Sequence, residues 1–99
     1  MVIIEGKFEV KPQYREQLLT LAGEVVEPVR KERGCITFSY YEDMTKPNSF
    51  LFYQEWISKG HAFHHLQGPN FAKFTEQFYS LLKGSPKLSI HEVSNTDEY

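Results

Sequence analysis

From Ser49 to Trp56 almost every residue is aromatic or aliphatic, with Phe50, Phe52 and Trp56 on one face of an extended strand and Leu51 and Tyr53 on the other. A strand of this kind needs cover on both faces, and this constrains the fold more than any other segment. The segment before it, Cys35 to Glu42, alternates Ile36, Phe38 and Tyr40 with Thr37, Ser39 and Tyr41. Between the two, Asp43-Met44-Thr45-Lys46-Pro47-Asn48 has turn chemistry and a length suited to joining antiparallel neighbours. The spacing predicts a hairpin.

The flanking segments complete a recognisable order. Val2, Ile4, Gly6, Phe8 and Val10 share one face of a first strand, opposite Ile3, Glu5, Lys7 and Glu9. After Lys11-Pro12, Tyr14, Leu18, Leu21, Ala22, Val25 and Val29 recur at helical spacing, predicting a helix that ends at Gly34 and is kinked by Pro28. Ser58 can cap a short helix carrying Ala62, Phe63, His65 and Leu66. Gly68-Pro69 interrupts that helix and restarts it as a stripe of Phe71, Phe74, Phe78 and Leu81 or Leu82. Gly84-Ser85-Pro86 then leads into a last strand from Lys87 to Val93.

The resulting β-α-β-β-α-β order is the split βαβ motif. It predicts an α+β, ferredoxin-like domain over residues 1–94, a four-stranded antiparallel sheet with two helices on one face, and a loose tail over 95–99. Helices on one face leave the other uncovered. A homodimer through the sheet faces is therefore expected.

The composition narrows the function. A chain of 99 residues, 40% hydrophobic and 24% charged, supports one core. A net charge of -2 with no Lys/Arg cluster argues against nucleic acid as a partner. No apolar run approaches a membrane span, and the N-terminus enters a strand without a signal-peptide pattern, so a cytoplasmic location is expected. Cys35 stands alone in an apolar strand and reads as a small buried hydrophobe. His61 and His65 share a helical face near His64, but the glutamate of a metalloprotease motif is missing, so no metal is assigned. Eight Phe, six Tyr and one Trp bring the aromatic content to 15%, and aromatics line pockets for flat organic molecules. A small hydrophobic or aromatic ligand is the expected partner.

Glu55-Trp56-Ile57-Ser58 followed by His65-Leu66-Gln67-Gly68-Pro69-Asn70-Phe71, with Gly34-Cys35 and Gly84-Ser85-Pro86 before the second and fourth strands, resembles the antibiotic biosynthesis monooxygenase family over essentially the entire chain. The resemblance implies a dimeric α/β barrel with a pocket between helices and sheet. It also implies oxidation of a quinol or aromatic polyketide-like substrate by molecular oxygen, with no metal or flavin cofactor. Such chemistry needs a base, a stabiliser for the resulting oxyanion and an aromatic cage.

On that reading His65 is the catalytic base and Glu55 orients or charges it. Trp56 and Phe52 form a substrate-binding wall, Phe71 and Phe74 combine core packing with the pocket lining, and Tyr53 and Tyr40 are candidate oxyanion donors. The chain also departs from the family. Phe52 and Thr75 or Glu76 replace the Asn and Arg of anthrone-oxidising members, and Gly6, His65 and Thr75 argue against haem degradation. Two other readings stay open: an isomerase of a small phosphorylated hydroxy-ketone using the same Glu55 and His65, and a non-catalytic dimeric module that binds a small ligand.

Overall fold

The computed structural model, which describes residues 1–99, forms the hairpin as β2 (Cys35–Glu42) and β3 (Ser49–Trp56). The first strand, β1 (Val2–Glu9), lies on the other side of β3, and β4 (Lys87–Glu92) pairs with β1, giving an antiparallel sheet in the order β2-β3-β1-β4. The helices are α1 (Arg15–Arg30), α2 (Lys59–Leu66) and α3 (Pro69–Phe78). This is the α+β ferredoxin-like arrangement, with its second helical segment split where Gly68-Pro69 was expected to break it. No helix is long and apolar enough to cross a membrane.

The core lies between the sheet and the helices. Val2, Ile4 and Phe8 of β1 and Phe50, Phe52 and Trp56 of β3 meet Leu18, Val25 and Val29 of α1 and Phe74 and Phe78 of α3. Gly6 continues the core-facing parity of β1 opposite Phe52. The Phe52 ring fills the space a side chain would take there, since a Cβ on Gly6 would sit 2.2 Å from Phe52 Cζ.

Three local features differ from the sequence reading. First, α1 runs through Pro28 and stops at Arg30, four residues before Gly34, because a tight turn takes over: Lys31 N–H bonds to Glu27 O and Glu32 N–H to Val29 O. Gly34 retains a left-handed role, with φ of 84°.

Second, Ile36 does not share a face with Phe38 and Tyr40. A β-bulge pairs Cys35 with Trp56 and Thr37 with Glu55, leaving Ile36 as the extra, exposed residue. Third, β4 is uncovered along its whole length. Leu88 and Ile90 lie opposite Gly6 and Ile4 on the helical side, yet the helices leave both exposed.

The second sheet face carries Ile3, Glu5, Lys7, Leu51, Tyr53, Glu55, Thr37, Ser39 and Tyr41, so apolar and polar groups are mixed there. Residues 94–99 contain no helix or strand and are exposed.

Candidate active site

Ser58 sets the position of α2. Its hydroxyl accepts a hydrogen bond from His61 N–H, which fixes the first turn and so the rotation of the helix. With that phase Ala62 and His65 point into the core. His65 comes to rest on Trp56, which closes β3 on the same face and is fully buried. The imidazole and indole stack with centroids 4.8 Å apart and planes 24° apart, and Phe38 and Phe71 meet the imidazole edge-on at 6.0 Å and 5.7 Å. His65 is thus enclosed by three aromatic rings and is 1% exposed.

The carboxylate beside His65 is Glu32, not Glu55. Glu32 lies in the tight turn after α1, and its two oxygens stand 2.9 and 3.1 Å from His65 Nδ1. Asn70, in the first turn of α3, donates to the same carboxylate at 3.0 Å. Glu32 was legible in principle, because residues 25, 29 and 32 continue the buried stripe of α1 at helical spacing. An acid on such a stripe needs a partner inside.

Glu55 belongs to the other face. Successive strand residues point to opposite sides, so Glu55 cannot share a pocket with Trp56. It accepts hydrogen bonds from Thr37 across the hairpin and from the Tyr53 hydroxyl two residues away, both at 2.8 Å. Burial first, then the bond to Glu55 and the neighbouring negative charges, pushes the Tyr53 phenol up to about 12. The expected Glu55–His65 pair is therefore not formed, and Tyr53 lies outside the pocket that Phe52, Phe71 and Phe74 line.

That pocket is a cavity of ≈ 10 Å³ among Val25, Phe38, Tyr40, Phe52, Gln54, His65, Phe71 and Phe74. A volume of this size holds about one water. A second cavity of ≈ 30 Å³, between α3 and the start of β4, shares Phe52, Phe71 and Phe74 with it. Admitting an aromatic ligand requires those rings to move. A larger groove of ≈ 570 Å³, between Tyr14, Thr20 and Glu24 of the first helical segment and Gln77 and Ser80, is wide open and holds none of the candidate site residues.

The polar groups facing the small cavity are few. An ionised Glu32 has no proton to give, so the N–H of a neutral His65 sits on Nδ1 and Nε2 is left with a bare lone pair. Nε2 is the buried side-chain atom for which the fold supplies no hydrogen-bond partner. Leaving such an atom unpaired costs about 1–3 kcal/mol, so a water or a ligand group in the cavity is needed to complete the bond.

Tyr40 lines the cavity too, and burial raises its phenol above the ordinary range, so it stays neutral. Gln54, the polar member of the core-facing set of β3, accepts from Trp56 Nε1 at 2.9 Å and is 3% exposed. Its position between Phe52 and Trp56 in strand parity was the available signal.

The remaining histidines disperse. His61 Nδ1 is 2.7 Å from the Ser58 hydroxyl and its ring packs on Gly34, His64 is exposed, and His91 reaches Glu5 on the open face at 3.3 Å. No group of three or more His, Cys, Asp or Glu side chains converges in a way that could hold a metal.

The sequence pattern of the antibiotic biosynthesis monooxygenases matches residues 1–77. An uncharacterised protein of Synechocystis is 36% identical over 95 residues, 96% of this chain, and the chain spans 65% of that relative's length. YcnE of Bacillus subtilis, an inferred monooxygenase, is 26% identical over 95% of this chain and 99% of its own. A Deinococcus radiodurans crystal structure, also assigned by inference to these monooxygenases, superposes with a TM-score of 0.92 at 23% identity, covering 100% of this chain and 98% of its own. A Mycobacterium tuberculosis protein gives a TM-score of 0.87 at 22% identity, covering 98% and 96%. These structural likenesses carry the fold. With the pattern matched over most of its length, the chain belongs to the antibiotic biosynthesis monooxygenase family.

Proposed function

We propose that this protein is a monooxygenase acting on a small, electron-rich aromatic, with His65 as the base and Glu32 as the carboxylate that supports it. The observation that carries the reading is the bare, buried Nε2 of His65 inside an aromatic cage, with Glu32 held against the other ring nitrogen. A substrate C–H or O–H made acidic by conjugation gives its proton to Nε2, and the electron pair stays on the substrate as an enolate or phenolate. Glu32 stabilises the imidazolium that forms.

The anion then reduces molecular oxygen. For an activated methylene the balance is one methylene and one dioxygen consumed, one carbonyl and one water formed. One oxygen atom enters the product, and the other leaves as water with the two methylene hydrogens; a hydroquinone balances as one dioxygen consumed, one hydroxyquinone formed, and one water that carries the two hydroxyl hydrogens. Trp56, Phe71 and Phe74 keep bulk water away from the anion. No metal or flavin is assigned to this sequence of steps.

Family membership supports the reaction class, and the substrate is proposed as a hydroxylated anthrone or hydroquinone of modest size. Separation of Glu55 from His65 removes the pair on which the isomerase reading depended. The test is a panel of anthrones and hydroquinones assayed under oxygen-18 gas. The reading expects one labelled oxygen in the product and loss of turnover in His65→Ala, and product formed at an undiminished rate without oxygen would overturn it.

We also propose that the open sheet face, where Ile3, Leu51 and Tyr53 are half-buried beside Tyr41, packs on a second copy. Light scattering that gives the 11.6 kDa monomer at micromolar concentration overturns that part.

A further inference from the structure

Gln54 has an asymmetry that the core does not need. Its side-chain oxygen accepts from Trp56 Nε1. The indole N–H can only donate, so this bond decides which end of the amide is which: oxygen toward Trp56, NH2 away from it. The NH2 group makes no hydrogen bond within the chain but is not sealed from solvent as His65 Nε2 is, and Gln54 lines the same cavity as His65. Two residues of the cavity wall therefore each keep an unspent polar group, and the two are of opposite kind. Neutral His65 Nε2 can only accept, and Gln54 NH2 can only donate.

We propose that Gln54 is a substrate-binding residue whose NH2 donates to the oxygen on which negative charge collects when His65 takes the proton, so the site selects phenols and enolisable aryl ketones over ethers and hydrocarbons of the same shape. The inference rests on His65 acting as the base. Before proton transfer a phenolic O–H donates to Nε2 and accepts from Gln54. Afterwards the O–H bond has broken, Nε2 carries the proton, and the phenolate oxygen accepts from both imidazolium and amide. Each bond strengthens as charge develops, so the pair binds the anion more tightly than the neutral ligand. An ether has no proton to give to Nε2 and leaves that atom as orphaned as before.

The experiment uses 4-nitrophenol, whose phenolate absorbs visible light, titrated from acid to alkaline pH in the presence of saturating protein. The intact protein lowers the apparent pKa of the bound phenol by about one unit or more, which is a tenfold or greater preference for the phenolate. Removing the Gln54 side chain alone would strand the Trp56 N–H, so the clean comparison is Trp56→Phe against Trp56→Phe with Gln54→Leu. The second is expected to bind the phenolate at least tenfold more weakly at unchanged affinity for 4-nitroanisole, the corresponding ether.

Gln54→Met, which is uncharged, keeps a weak sulfur acceptor near Trp56 and removes the donor, makes the same comparison if the double variant does not fold. Equal bound pKa values with and without the amide overturn the proposal, as does failure of the intact protein to bind 4-nitrophenol at millimolar concentration. A shift abolished by Tyr40→Phe and untouched at Gln54 reassigns the donor to Tyr40 and overturns it too. If His65→Ala also leaves the bound pKa unchanged, the base reading fails with it. If His65→Ala abolishes the shift and Gln54 does not matter, only the role of Gln54 is lost.

Discussion

The two faces of one sheet use the same chemical vocabulary to different ends. On the covered face an imidazole, an amide and an indole lie among phenylalanines, and each polar group has one bond satisfied inside the fold while His65 Nε2 and the Gln54 NH2 are left over. On the open face the Glu55 carboxylate accepts one bond on each oxygen, from Thr37 and from Tyr53. Glu32 and Glu55 differ less in their surroundings' polarity than in their backbone. Glu32 sits on a turn that delivers it beneath α2, whereas Glu55 is committed by strand parity to the side away from the helices. On the proposed reading, function on this scaffold follows incomplete hydrogen bonding, not the presence of an acid.

The most forceful way to break this comparison is by truncation. Trp56→Ala removes the floor under His65 and is expected to cost about 3–5 kcal/mol in urea unfolding, whereas Tyr53→Ala, on the open face, costs about 1 kcal/mol or less in the monomer. Comparable losses would show that the two faces carry equal structural weight.

Turnover of the aromatic substrate separates the carboxylates next. His65→Ala lowers kcat/KM by roughly 10²–10⁴-fold. Glu32→Gln removes a charged hydrogen bond contributing roughly 1.5–3 kcal/mol and lowers kcat/KM about 10- to 100-fold. Glu55→Gln leaves it within about threefold, because only a surface hydrogen bond is changed. A Glu55→Gln effect as large as that of Glu32→Gln would return catalysis to the open face.

Smaller effects appear on titration. The Tyr53 phenol is raised to about 12 in the fold, so the stabilisation tied to its neutral form is complete below the ordinary value of 10.0 and is lost as pH rises through about 12. Absorbance titration of the tyrosines should show this late step, and Glu55→Gln should move it toward 10.0.

The last effect concerns the hairpin end, where Arg15 of α1 and the backbone of Asn48 hold the Glu42 carboxylate down to about 2. Its folded value is depressed, so its contribution is present above the ordinary 4.5 and fades as pH falls toward 2. Arg15→Gln lets that loss begin at higher pH, seen as an acid-unfolding midpoint moved upward.

Much of this architecture was legible because its signals are local. The parity of Val2 to Val10 and Ser49 to Trp56, the turn residues of the hairpin, the Ser58 cap and the Gly68-Pro69 break each act within a few residues and gave the topology. Trp56, Phe52, Phe71, Phe74 and His65 do come together around one small cavity or stacked against its wall.

What escaped was long-range or depended on a single backbone irregularity. Glu32 meets His65 across 33 positions of sequence, and nothing near either residue announces the other. The bulge that turns Ile36 outward adds one residue to an otherwise regular alternation. Gln54 was hidden for a different reason: parity placed it inward, but an amide between aromatics looks like a solvated interruption until Trp56 is seen to bind it.

Gly6 makes pocket size adjustable from outside the pocket. It lines neither cavity, yet it is the bed on which the Phe52 ring lies, and that ring borders both the ≈ 10 Å³ and the ≈ 30 Å³ spaces. Any side chain at position 6 evicts the ring. For laboratory evolution this makes residue 6 a volume dial, because a side chain there must move a ring that both chambers share.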